Sequence, residues 1–513
     1  MGILIRGKYL LSDAGKGEKG VLQDTAVYVS DGIVKELGTY PSLRQKYPGA
    51  KVVGNGKQLV MPGLIDAHTH GRGLSFLQRG VPFDYLENCL IDWAFAVDLE
   101  PELSSMLMAV RHIRNGCTTL HHNNMGKALD PGLFKKSSGA IEGYKKAGIR
   151  VAYSPGIRNV NTLAYDDVEF FNTLPPELQE FARPLVFIDK QAAVDAFFEY
   201  FEKLYDKYND ENTRILMGPN WVQGSTDEYL VRAKQKADEL GKLPIHIHTL
   251  QTPIQKAFGL RKYGKSLLAH LDDIGLVDSN LVLGHAVFVN QEDIELLASK
   301  NASITHHPSC NFAVRNGIAP VYQLHKAGVN VALGIDEKGI NDDEDPIMEL
   351  RMIYYIHRVP GFDLANSSTL NAFDVLEMGT TNAARVCGFE GELGSIKPGM
   401  KADIITVDLE EITEAPWISP DLNIMQAFIH RARGSHVNTA VIAGEIVMED
   451  REIKTVDMDL LYQEVRKQAS SGISSEQRQY AQNLQKIKPY YHKWYQDWID
   501  YEFEAYYPLN SKK

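Results

Sequence analysis

Between residues 62 and 391 the sequence repeats one grammar: a short apolar strand, a helical stretch with one polar face, then another strand. Strand candidates are the run before His68 and the segments 118–120, 150–153, 215–217, 245–248, 281–283, 303–305 and 329–333. Helical runs between them include 101–115, 227–240, 291–299 and 320–327. Strands that are continuously apolar are buried on both faces, and parallel neighbours need a crossover, usually helical. Eight such units predict an α/β chain folded as a closed (β/α)8 TIM barrel. Its active site would lie at the carboxyl ends of the strands.

The flanks read differently. Residues 1–61 contain short strands at 3–11, 25–30, 33–38 and 58–61, with Asp31-Gly32 as a hairpin signal between two alternating runs. The same texture returns at 392–450, so both ends are expected to form one small β-sandwich with the barrel inserted between them. Residues 451–513 read as a helical extension in which Tyr491, Trp494, Tyr495, Trp498 and Tyr501 make an aromatic stripe. That stripe must pack on its own barrel or on a second subunit, because it is costly to leave in water.

A net charge of -12 argues against a nucleic-acid surface and against an anionic membrane face. Cys89, Cys117, Cys310 and Cys387 are widely spaced with no Cys-x-x-Cys pair, so no disulfide framework or cysteine zinc site is expected. The first residues lack a long apolar run and no window reaches spanning length. The expectation is a cytoplasmic enzyme with a small-molecule substrate, assembled as a homo-oligomer, dimer or larger.

Ligand-type residues fall where the barrel reading needs them. His68 and His70 are two apart at the end of the first strand, where alternate side chains point the same way. His246 and His248 end the fifth strand, His285 the sixth and Asp336 the eighth. A lone strand-end histidine is commonly a hydrogen-bonded structural residue; four strand ends so furnished point to a metal site.

With these residues in place the chain resembles the amidohydrolase superfamily. The likeness rests on Pro62-Gly-Leu-Ile-Asp-Ala-His-Thr-His70, Gly284-His-Ala286, His306-His-Pro-Ser-Cys-Asn311, Leu333-Gly-Ile-Asp336 and Leu393-Gly-Ser-Ile-Lys-Pro-Gly-Met-Lys-Ala-Asp403. Within the superfamily it is most similar to the aminohydrolase and chlorohydrolase branch, which includes adenosine-type, guanine-type and triazine hydrolases. The resemblance implies that His68, His70, His248 and Asp336 ligate one divalent metal, Zn²⁺ or Fe²⁺, with His285 beside it. The fourth strand carries no lysine of the kind binuclear relatives use, so one ion is expected. His246 is expected to support or pack behind the ligands. The ion would activate water, Asp336 would move protons, and His285 would ligate or hydrogen-bond the attacking oxygen.

One position departs from the branch. Its deaminases carry a glutamate three residues after the fifth-strand ligand, and this chain has Gln251 there. An amide cannot shuttle a proton. Either another group supplies it, with His307, His122 or Glu337 as candidates, or the substrate is an amide, urea or carbamate, or the strand is misaligned. Other expectations are that Arg72, Gln78 and Arg79 shape specificity from the loop 71–92, and that His121-His122-Asn123-Asn124 either touch substrate or form a surface turn. Asn311 and His306 are expected to orient the carboxylate or the substrate. Asp342-Asp-Glu-Asp345 reads as a solvated loop, or a contact for a cationic group. Hydrolytic removal of an amino or substituted-amino group from a small nitrogen heterocycle is the leading function. C–N hydrolysis of an amide, urea or carbamate is second, and a non-catalytic homologue is the remote third.

Overall fold

A computed structural model describes residues 2–358, 365, 368–502 and 504–507. Parallel strands alternate with helices through the middle of the chain, giving a mixed α/β fold. We label the parallel strands β1 (Leu64–Thr69), β2 (Cys117–Lys127), β3 (Arg150–Arg158), β4 (Thr213–Ile215), β5 (Ile245–Thr249), β6 (Leu281–His285), β7 (Ser303–His306) and β8 (Asn330–Leu333). They form two four-stranded sheets, ordered β4-β3-β2-β1 and β5-β6-β7-β8. Bridges Thr69 to Asp336 and Met217 to Ile245 join the sheets at both seams.

All eight strands fall within a few residues of the positions read from apolar periodicity. Small inward residues (Ala67, Ala152, Ala332) pack with Ile65, Leu216 and Val282 against the segment that carries Ala383, Val386 and Phe389. The interior is therefore plugged by apolar side chains at its amino-terminal end. Gly63 is obligatory at the start of β1, since a Cβ there would lie 2.1 Å from Thr118 Oγ1.

The Asp31-Gly32 hairpin forms with both residues in the left-handed region, at φ 55° and 73°, joining two antiparallel strands. A seven-stranded sheet mixes the ends of the chain: Ile404–Val407 pairs antiparallel with Leu59–Pro62, which runs parallel to Tyr9–Leu11. Strands Val21–Gln23 and Lys51–Val53 are additions that the sequence pattern did not separate. A buried Arg150–Asp403 ion pair, Nε to Oδ2 at 2.8 Å, ties β3 to the strand at 404.

The extension packs in cis. In the helix Ser475–Tyr495, Trp494 Nε1–H donates to Tyr165 O at 3.0 Å and Tyr495 Oη accepts from Tyr165 N–H at 2.8 Å. Trp498 stacks on Phe258. The stripe is thus covered by its own chain and makes no demand for a second subunit. Among the described residues no helix is long and apolar enough to cross a membrane.

Candidate active site

The pair His68 and His70, the strand-end histidines His248 and His285 and the loop carboxylate Asp336 meet at the carboxyl ends of β1, β5, β6 and β8. Between Asp66 and Thr69 the pairing of β1 with β2 shifts register. The irregularity re-aims the strand, so Ile65 and Ala67 stay in the interior cluster while His68 and His70 both reach the site. Donor atoms of His68, His70 and His248 lie within 4.8 Å of one another, as do those of His68, His285, His307 and Asp336. Asp336 Oδ1 is 3.1 Å from His70 Nε2 and 3.8 Å from His68 Nε2. Its Oδ2 is 3.6 Å from both His285 Nε2 and His307 Nδ1.

The outer ring nitrogens settle which atoms face inward. His70 Nδ1–H donates to Asn123 O at 2.9 Å and His248 Nδ1–H to Asn220 O at 2.8 Å. A nitrogen facing a carbonyl must carry the proton, so both Nε2 atoms keep a lone pair toward the shared point. His68 Nε2 and His285 Nε2 are buried with no hydrogen-bond partner. Ligand atoms of a tetrahedral ion lie roughly 3.4 Å apart, so these separations and this nitrogen-rich donor set fit a divalent metal. Burial holds His68 and His248 well below the usual imidazole range, and neighbouring imidazoles push the same way. Burial alone would raise the Asp336 carboxyl; hydrogen bonding to His70 and the surrounding imidazoles hold it well below the carboxylate range. Leu250 (φ 54°), His285 (74°) and Asp336 (66°) are left-handed, so the backbone is strained where these donors leave their strands.

Supporting groups surround the donors. His246 Nε2 lies 2.8 Å from His68 Nδ1, which gives it the supporting place expected. Sequence reasoning missed Asp66: its Oδ1 accepts from His68 N–H at 3.1 Å and Ile335 N–H at 2.9 Å, and its Oδ2 faces His112 Nε2 at 2.9 Å. Asn311 Oδ1 holds His285 Nδ1 at 3.0 Å, so it orients that imidazole rather than the carboxylate.

Leu86, Trp93, Met125, Trp221, Gln251, Cys310, Val314 and Glu337 wall the pocket over His70, His248, His285 and Asp336. Its cavity is about 20 Å³, room for a water or so, and the segment that carries Leu86 and Trp93 covers it. That segment, from Leu86 to Phe95, is gripped by the extension. Lys488 Nζ is 2.8 Å from Asp92 Oδ2, His492 Nε2 2.7 Å from Asn88 Oδ1, and Gln477 Nε2 donates to Ala94 O at 3.1 Å.

Three expectations are corrected by placement. His306 faces outward to His357, Nε2 to Nε2 at 3.3 Å, because strand alternation turns Thr305 and His307 inward instead. His122 is not among the gathered donors: its Nδ1 lies 3.0 Å from Tyr144 Oη and it lines a cavity with His70, Gly71 and Arg72, while its neighbour His121 occupies the interior. Gln78 is exposed and accepts from Ser75 N–H at 3.0 Å, serving its own turn. The acidic run is not solvated either: Glu344 is fully buried between Arg111 (2.6 Å) and Lys338 (2.6 Å), and Asp345 caps the helix Pro346–Ile356. Arg72 pairs with Glu337, which lashes the loop after β1 to the loop after β8.

A parallel α/β scaffold with imidazole and carboxylate donors gathered at its strand ends defines a metal-dependent hydrolase. The description "Amidohydrolase family" matches residues 59–447, and the chain belongs to that family, enzymes that hydrolyse non-peptide C–N bonds. It is 30% identical over 489 residues to a 5-methylthioadenosine/S-adenosylhomocysteine deaminase of Caldanaerobacter subterraneus, covering 93% of this chain and 100% of that one. It is 28% identical to a 5'-deoxyadenosine deaminase of Methanosarcina mazei over 92% of this chain and 98% of that one. Among solved structures it is similar to a zinc-bound adenosine deaminase from Xanthomonas campestris. That likeness has TM-score 0.74 at 24% identity, over 94% of this chain and 99% of that one.

Proposed function

We propose that this enzyme hydrolytically deaminates a nitrogen heterocycle of the adenine-nucleoside kind, using one zinc ion held by His68, His70, His248 and Asp336. The observation that carries the reading is the convergence of the His68, His70 and His248 donor atoms from β1 and β5 within 4.8 Å, with the Asp336 carboxylate 3.1 Å from His70 and 3.8 Å from His68 and the outward nitrogens of His70 and His248 tied to carbonyls. The names of the curated relatives supply the substrate class. We read the eight strands as a closed barrel (62–391), supported by the bridges at both seams. Strands of 1–61 and 392–450 are read as a sandwich, supported by their shared apolar cluster, and 451–513 as a clasp on the covering segment.

A bound zinc ion supplies a Lewis acid that brings the pKa of water at the site near neutrality. Asp336 takes the water proton and passes it toward the leaving amine. Trp93 and Trp221 line the pocket as flat walls for a planar ring, and Trp221 Nε1 is a buried donor without a partner. Gln251 Oε1 is likewise buried and unpartnered, so it holds the ring edge by a hydrogen bond without moving a proton. We assign ring protonation to Glu337. It lines the pocket with Oε2 free of partners while Arg72 holds its other oxygen.

Ammonia release by metal-free and zinc-loaded protein, across adenine nucleosides with varied 5' groups, guanine, triazines and ureas, tests this. Zinc-dependent release from the adenine nucleosides is expected. Turnover of ureas or carbamates with none of the ring amines would overturn it in favour of the second reading.

A further inference from the structure

Two adjacent histidines close β7, His306 as its last residue and His307 just after it, and the inward one, His307, makes a contact chain that fixes protons. His307 Nε2 lies 2.9 Å from Thr305 Oγ1, and its Nδ1 lies 3.1 Å from His285 Nδ1. The same His285 nitrogen is 3.0 Å from Asn311 Oδ1. Asn316 Nδ2–H donates to that oxygen at 3.4 Å, which marks it as the carbonyl end of the amide. A carbonyl only accepts, so His285 Nδ1 carries the proton. His307 Nδ1, facing that N–H, is then a lone pair, and its own proton goes to Thr305 from Nε2. The ring has little freedom to turn. His307 is fully buried, lies 4.2 Å from the His68 ring between centroids, and would be 2.5 Å from a Cβ placed on Gly334.

We propose that His307 is a positioning residue: with Thr305 and Asn311 it locks His285 as the Nδ1–H tautomer, so His285 turns a lone pair, not an N–H, toward Asp336 and the pocket. The proposal deepens the site reading given above and rests on it. It decides between the uses open to His285. With the metal held by the four ligands named above, an Nε2 lone pair accepts a hydrogen bond from the attacking water; it cannot donate one to a developing oxyanion. The 3.6 Å between His285 Nε2 and Asp336 Oδ2 agrees, being too long for N–H···O and suited to two acceptors that share a third atom.

Imidazole nitrogen shifts of protein labelled with 15N-histidine, loaded with zinc and assigned with a His285→Asn control, read the tautomer directly. Wild type should show His285 protonated at Nδ1. His307→Leu removes the acceptor, whereas the amide in His307→Gln can accept from His285 and donate to Thr305. The expected result is a 10–100-fold fall in kcat for His307→Leu, with KM and bound zinc unchanged, and recovery of most of it in His307→Gln. An Nε2–H signal for His285, equal losses in the two variants, or loss of zinc in His307→Leu would overturn the proposal. If His307→Leu does not fold, Thr305→Val carries the test, since freeing the His307 tautomer should mix the His285 signals; an unchanged spectrum there refutes the lock. A protein with the expected spectrum and no activity on any ring amine would keep the lock and fail the functional reading instead.

Discussion

Asp66 gives the sharpest test of how the donors are held. Its carboxylate is fully buried and binds the backbone N–H of a β1 donor, His68, and of Ile335, the residue before Asp336. One side chain therefore fixes the strand ends that carry two of the proposed ligands. Both backbone bonds end on Oδ1, and only His112 Nε2 is met by Oδ2. His112 Nδ1–H is already committed to Met108 O at 3.0 Å.

Two replacements then differ by geometry alone. Asp66→Asn keeps an oxygen for both amides, and its NH2 can donate to His112 Nε2 as a lone pair, so the loss should be about 1 kcal/mol. Asp66→Ala orphans two buried N–H groups and one imidazole nitrogen; at about 1–3 kcal/mol for each backbone group, the two N–H groups alone cost roughly 2–6 kcal/mol. Zinc affinity should fall 10–100-fold in the alanine variant and much less in the asparagine variant, as for other groups that orient metal ligands. Guanidinium unfolding of the metal-free proteins and chelator competition on the loaded ones measure both quantities. Equal stability and equal zinc affinity for Asp66→Ala and Asp66→Asn would refute the reasoning.

Other outcomes follow from the same geometry. Glu349 is fully buried, and burial pushes its carboxyl up to about 8 despite bonds from Ser309. An acid raised on folding stabilises the fold while protonated and loses that contribution as pH rises from its unfolded value of about 4.3 to its folded one, so Glu349→Gln should flatten the decline in unfolding free energy across that window. Asp92→Ala removes the Lys488 and Gln485 contacts of the covering segment, and limited proteolysis should show faster cleavage between residues 81 and 98. Glu337→Gln should lower kcat by about 10²–10⁴-fold, the range for a lost general acid, with zinc content unchanged in metal analysis; a smaller loss would remove Glu337 from that role.

Much of this site was legible in the sequence because its logic is periodic. A two-residue spacing in β5 puts His246 and His248 on one face, one behind the other, and that is where they are. The eight strands were legible for the same reason: apolar runs of strand length separated by helical ones. What was not legible depends on register at strand ends. His306 and His307 are neighbours, and only the last pleat of β7 decides that His307 enters the site. Asp66 was hidden by the irregularity in β1, which sends it outward to His112 while the next histidine turns in. The acidic run 342–345 looked solvated because its partners Arg111 and Lys338 come from distant or differently folded segments.

Donors and walls have different origins, and that separates chemistry from recognition. His68, His248 and His285 lie within strands fixed by sheet hydrogen bonds on both sides. The pocket walls (Leu86, Trp93, Met125, Trp221, Val314) lie almost entirely beyond those strands, and two of them are on the segment that the extension grips. Changing a wall alters which ring fits without moving a donor, whereas changing Asp66 or His307 moves donors without touching substrate. Gln251 stands where the two systems meet, three residues past the His248 donor and facing the pocket with an unpartnered oxygen. Its replacement by glutamate should therefore alter which ring is turned over more than how tightly zinc is held.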